Sequence, residues 1–227
     1  MRSFLSLICF CIFTACAGTP APIYAPPPVY GLPGDPGNPA QGPFQPNAEL
    51  FGCPWNISNP PPFDGDKRVT NFNPIIVVSG KVVMASVPVN DVCLSSGFGP
   101  RRGRAHNGSD YAPRPRGEER VIYTAAPGIV REARTASGFG SYVVIDHGHG
   151  VYTRYAHLAS MEPWVQVGVE IGFGHALGIM GATGNASGVH LHFEVLTGDI
   201  NNPRASFGLN AFDPLSFPPW AGLANNS

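Results

Sequence analysis

The sequence predicts an all-β, mostly antiparallel domain set behind an export signal and a proline-rich spacer. Past Phe63 the chain breaks into short runs of β-branched and aromatic residues: "IIVVSGKVVMASV", "VIYTAA", "GIVREAR", "SYVVIDHGHGVYTRYAHL" and "HLHFEVL". Runs this short, with period-2 stretches, fit strands. Glycine and proline punctuate them, with 28 Gly and 25 Pro in 227 residues, as turn-rich β structure requires. No segment shows an amphipathic helical period.

Length and 43% hydrophobic content suit one core plus appendages. The 14 basic and 15 acidic residues leave a formal charge of -1, which argues against the clustered basic excess of a nucleic-acid-binding protein.

Taken in order, residues 1–16 form a signal peptide. Arg2 precedes an apolar run from Phe4 to Phe13, too short to span a bilayer and sized for a signal hydrophobic region. The following "FTACAG" has two readings. As a lipobox it makes Cys16 a lipidated N-terminus; as a small-x-small cleavage site it discards that cysteine. The first places the protein on the periplasmic face of the outer membrane, held by its lipid. The second makes it soluble in the periplasm or secreted.

Residues 17–62, with "PAPIYAPPPVYGLPGDPGNPAQGPFQPN" at their heart, show hardly any apolar period and cannot offset their ordering entropy. They read as a disordered tether reaching on the order of 100 Å when extended. Residues 63–92 are a β-rich lead-in, 93–217 the main domain and 218–227 a tail. Once Cys9 and Cys11 leave with the signal, Cys53 and Cys93 remain. In an exported chain they read as a disulfide, two free buried thiols being the other reading.

In "GVHLHFEV" strand alternation puts His190, His192 and Glu194 on one face and Leu191, Phe193 and Val195 on the other. Two further segments hold groups of matching chemistry. "RAHNGSDYA" offers His106 and Asp110 on a bent glycine-containing loop, and "YTRYAHLAS" offers His157 at the end of a hairpin strand. Neutral imidazole and carboxylate suit Zn²⁺, whose catalytic sites use three protein ligands and keep one position open.

"SSGFGPRRGRAHNGSDYA", "YTRYAHL" and "GATGNASGVHLHFEV", in that order, resemble the motifs of the lysostaphin-type (LytM-like) zinc metallopeptidases. The resemblance implies an open antiparallel β-sheet groove with one zinc ion at its floor. By motif it implies His106, Asp110 and His192 as ligands, and His157 and His190 as a catalytic pair outside the metal's shell. It further implies hydrolysis of peptide cross-links in bacterial peptidoglycan, with stem peptides as the partner. A second reading is a tethered adaptor that recruits or activates another wall hydrolase, such as an amidase.

Other residues carry blander expectations. His147 and His149 fall in a hairpin turn and read as solvated, and His175 reads as a loop residue. Glu194 is either a hydrogen-bond partner of a ligand imidazole or a charge on a wet groove. Tyr111 and Tyr155 are groove-lining or core. Arg101, Arg102 and Arg104 either attract substrate carboxylates or form a solvated loop. The stretch before Cys93 is a candidate to occlude the groove.

Overall fold

Alternating short apolar runs fold here into strands because each can bury only one face, and the exposed faces are joined by glycine turns. The structure, a computed structural model, describes residues 44–101 and 103–221. The expected signal peptide, the lipidation site Cys16, the spacer up to residue 43, Arg102 and residues 222–227 lie outside the described residues.

In chain order the strands are β1 (Ile75–Val78), β2 (Val82–Ala85), β3 (Val92–Ser96), β4 (Gly99–Arg101), β5 (Arg104–His106), β6 (Ser109–Pro113) and β7 (Val121–Tyr123). They continue as β8 (Gly128–Ala136), β9 (Gly140–Asp146), β10 (Val151–Met161), β11 (Glu170–Ile171), β12 (Ala176–Met180), β13 (Leu191–Thr197) and β14 (Asn210–Phe212), with a 3-10 turn at Ala205–Gly208. A ten-stranded sheet follows the order β11-β8-β9-β10-β13-β6-β3, with β12 on β10 and β7, and β14 on β13. Its pairings are antiparallel, and β1–β2 and β4–β5 form separate hairpins.

One face of the large sheet carries the core: Leu94, Tyr111, Val130, Val143, Ile145, Tyr155, Leu191, Phe193 and Val195. Ile76, Val78 and Met84 of the first hairpin join the same cluster. Residues 63–92 are therefore part of the domain, and a boundary at 93 would cut β3.

The expected tether is corrected in its second half. Phe44, Leu50 and Cys53 are buried, and a Cys53–Cys93 disulfide ties this segment to β3. Phe44 stacks on Tyr123 with ring centroids 5.0 Å apart. Gly52 and Ser58 form parallel bridges with Leu94 and Ser96, covering the sheet edge that β3 would leave open. Isolated apolar anchors and one covalent bond order residues that have no periodic pattern. The beginning of the expected tail is also held, since Val77 donates to Pro218 O and Trp220 donates to Ile75 O, both at 3.0 Å.

Candidate metal centre and active-site cleft

The site is a row drawn across three neighbouring strands. In the register, Asp110 of β6 pairs with His192 of β13, and His192 pairs with Ala156 of β10. His106 reaches the row from β5, and Gly108 makes the turn between it and Asp110. A Cβ at Gly108 would stand 2.3 Å from Phe193 O, so only glycine lets this turn lie against β13.

His106 Nε2, Asp110 Oδ1 and His192 Nδ1 converge, with separations of 3.0 Å, 3.1 Å and 2.8 Å. All three residues are buried. Ligand atoms about 2.0–2.1 Å from a tetrahedral zinc stand roughly 3.3–3.4 Å apart, so a slight expansion accommodates the ion. The electrostatics also favour a cation. Burial would lower the His192 pKa, but Asp110 and Glu194 overcome it and push it up to about 9. Burial would raise that of Asp110, yet the adjoining imidazoles of His106 and His192 hold it well below the usual carboxylate range. The residues present fit a divalent metal.

Each of these groups is fixed from behind. His106 Nδ1 donates to Gly97 O at 2.7 Å, leaving Nε2 as a donor of electrons to the centre. Asp110 Oδ2 accepts from Arg101 Nη2 at 2.9 Å, and Arg101 also bonds Ser96 Oγ. His192 Nε2 donates to Glu194 Oε1 at 3.0 Å. Glu194, 1% exposed, is paired with Arg154, 3% exposed. A wet-groove role for Glu194 is thereby overturned. Arg154 in turn donates to Ser206 Oγ at 2.8 Å and lies 4.3 Å from the Phe139 ring centroid.

His157 arrives by a different device. Tyr155 and Leu158 both enter the main core, whereas Ala156 packs on the opposite face. Strict alternation from Tyr155 would bury His157 in the core. The β9–β10 register instead shifts between Tyr155 and Leu158, and His157 takes φ +65. This bulge turns the imidazole into the cleft. Its ring centroid lies 4.7 Å from that of His190.

His157 Nδ1 donates to Thr183 O and His190 Nδ1 to Gly188 O, each at 2.8 Å. Both rings therefore keep Nε2 as an acceptor. His190 Nε2 is 3.8 Å from Asp110 Oδ1. Burial, then the neighbouring His190, pushes the His157 pKa down to about 4.

A cleft of about 1250 Å³ opens above these groups, lined by His106, Asp110, His157, His190 and His192, with Phe139 beside them. Trp55, Asn56 and Ser58 form part of its wall. Among the described residues, the segment before Cys93 borders the cleft as part of its wall.

Several expected positions lie elsewhere. His147 is bonded at both ring nitrogens, to Pro127 O at 2.7 Å and Thr153 Oγ1 at 2.8 Å, and burial lowers its pKa to about 4. It is a structural residue, in contrast to exposed His149. His175 is buried and its Nδ1 accepts from Gly172 N. Tyr111 and Tyr155 are core. Arg101 is engaged by Asp110, while Arg104 lines the cleft. Sequence reasoning missed Arg154 and Trp55. Only the β10–β13 register sets Arg154 opposite Glu194, and no pattern within either strand announces that pairing.

An open β-sheet cleft floored by two histidines and an aspartate, with two more imidazoles alongside, has the architecture of a metallopeptidase. Residues 104–203 match peptidase family M23. The chain is 38% identical over 110 residues to the peptidoglycan DD-endopeptidase ShyA of Vibrio cholerae, covering 45% of this chain and 24% of that protein. It is 35% identical over 117 residues to the DD-carboxypeptidase/endopeptidase Mpg of Neisseria meningitidis, covering 48% and 26%. The chain thus spans about a quarter of the length of these curated relatives. A solved zinc-containing peptidase from Vibrio cholerae aligns with TM-score 0.47 and 28% identity over 68% of this chain and 43% of that one.

Proposed function

We propose that the protein is a zinc-dependent endopeptidase that hydrolyses D,D-peptide cross-links of peptidoglycan in the bacterial cell envelope. The observation that carries this is the convergence of His106 Nε2, Asp110 Oδ1 and His192 Nδ1 within 2.8–3.1 Å, on the floor of an open cleft. The relatives' names supply the substrate class. An exported envelope location follows from that substrate, and the lipidated N-terminus at Cys16 belongs to the same reading.

His106, Asp110 and His192 would hold the zinc. Bound there, the ion supplies Lewis acidity to a carbonyl and lowers the pKa of water towards about 7. The chain's own residues do the proton work. His157 is neutral at physiological pH and presents Nε2 as an acceptor, so it is the favoured base. His190, equally oriented by its backbone bond, stands on the Asp110 side and can donate to oxygen or to the leaving amine once protonated. Arg154 and Glu194 hold His192 in the Nε2–H tautomer that frees Nδ1 for the metal.

Digestion of purified cross-linked peptidoglycan by the zinc-loaded full chain, with fragments read by mass spectrometry, tests this. Dimeric muropeptides should disappear, and a chelator should stop the loss. H192A should lose zinc and turnover, whereas H157A and H190A should keep zinc and lose turnover. Intact cross-links with zinc confirmed in the protein would refute the proposal.

A further inference from the structure

We propose that Trp55 and Arg116 form a subsite for a substrate carboxylate in the wall of the cleft; this rests on the peptidase reading above. Trp55 belongs to the segment that pairs along β3 through Gly52 and Ser58. Between those bridges the chain bulges, and Trp55 packs against the buried cluster of Cys53, Cys93 and Ala112. The disulfide and this packing fix the indole in place. Arg116 comes from the loop after β6, the strand that carries Asp110. Its guanidinium lies 4.0 Å from the Trp55 ring centroid, and both side chains line the same cleft as the metal centre. The preceding arginine of that loop, Arg114, lies 5.3 Å from the Phe51 ring. The loop and the N-terminal segment are thus joined by two cation–aromatic contacts.

Stacking uses the face of a guanidinium and leaves its in-plane N–H groups free. Among the described residues, Arg116 makes no hydrogen bond or ion pair. Of the acids beside it in the cleft wall, Glu118 is taken by Arg120 at 2.9 Å, and among the described residues Glu119 makes no ion pair with Arg116. Arg104, also cleft-lining and without an acidic partner among the described residues, adds a second positive charge. A planar donor fork stacked on the Trp55 ring and lining the cleft can take a carboxylate in bidentate fashion. Because the Trp55 ring restricts the guanidinium, less side-chain entropy is lost on binding than from an unstacked arginine. The ligand is a cross-linked stem peptide bearing a free carboxylate away from the scissile bond.

The test uses the zinc-loaded full chain and two cross-linked stem-peptide dimers that differ only in whether their carboxylates are free or amidated. The native chain should favour the free acid about tenfold in KM, the low end for a charge-assisted bond. R116A should raise the free-acid KM about tenfold and abolish the preference, the effect falling on KM rather than kcat. W55A should act in the same direction, and W55F, which keeps an aromatic platform, should restore most of it. Equal KM values for the two dimers with the native chain, or an R116A defect of the same size on both, would overturn the subsite. If neither dimer is cut, the peptidase reading fails separately. Titration calorimetry with the same dimers then decides the subsite: tighter binding of the free acid, lost in R116A, upholds it, and equal affinities overturn it.

Discussion

Glu194→Gln should weaken zinc binding although residue 194 touches no metal ligand atom. Glu194 Oε1 accepts from His192 Nε2 at 3.0 Å, while the other oxygen receives Arg154. A glutamine of the same shape cannot serve both. If its oxygen faces His192, its NH₂ meets the Arg154 guanidinium, donor against donor. If the amide turns over, its NH₂ faces His192 Nε2 and drives the ring proton to Nδ1, the atom aimed at the metal. Such supporting partners are worth about 10–100-fold in metal affinity, or roughly 1.4–2.7 kcal/mol. The variant also leaves a nearly buried Arg154 without its counter-charge, at a cost of about 3 kcal/mol of stability. That cost is moderated by Ser206 Oγ and the Phe139 and Phe207 rings, 4.3 Å and 5.1 Å from Arg154. Chelator competition measures affinity and urea unfolding of the metal-free chain measures stability. Met84→Ala, a fully buried change in the first hairpin, is the control, expected to lose about 2–5 kcal/mol of stability with unchanged zinc affinity. An E194Q affinity within twofold of the native chain would refute the tautomer argument.

Reducing the disulfide, or replacing Cys53 and Cys93 with serine, should lower unfolding free energy by about 4 kcal/mol from the loop-closure relation, given a sequence separation of 40; urea curves with and without reductant measure it. Stability should fall as the medium is acidified through His147. Its pKa is about 6.5 unfolded and about 4 folded, so the unfolded chain takes up the proton first and stability is lost between those values. The loss approaches about 3 kcal/mol, and in His147→Gln this part of the pH slope should vanish. Gly140→Ala should cost at least about 2 kcal/mol and depress turnover. Gly140 has φ +63, and a Cβ there would meet the Thr183 carbonyl carbon at 2.3 Å, displacing the oxygen that accepts from His157; unfolding and digestion assays read the two effects.

Local pattern made the strand faces legible. The alternation in "HLHFEV" separates His192 and Glu194 from Leu191, Phe193 and Val195, and the structure keeps that division. The hairpin at "DHGHG" was equally visible, because Gly148 and Gly150 adopt φ +78 and +69 there, a conformation glycine supplies without strain. What stayed hidden depended on contacts distant in the chain. Phe44, Leu50 and Cys53 are scattered among prolines and polar residues, so no period announced that they pack on the domain. Arg154 looked like any strand arginine until the β10–β13 register set it opposite Glu194.

His157 shows why motif and periodicity had to be read together. Period-2 counting from Tyr155 assigns its side chain to the core, and only the register shift before Leu158 reverses that assignment. A bulge adds one residue to one strand, a change that no count within the strand itself detects, since it is defined against the neighbour. The left-handed backbone of His157 is disfavoured for a residue with a Cβ. It is held here by the His157 N–H bond to Phe139 O at 2.9 Å and the His157 Nδ1 bond to Thr183 O at 2.8 Å. The surrounding loops therefore determine both the strained turn and the imidazole's direction, and the cleft acquires an oriented imidazole at a position where a regular strand would have buried it.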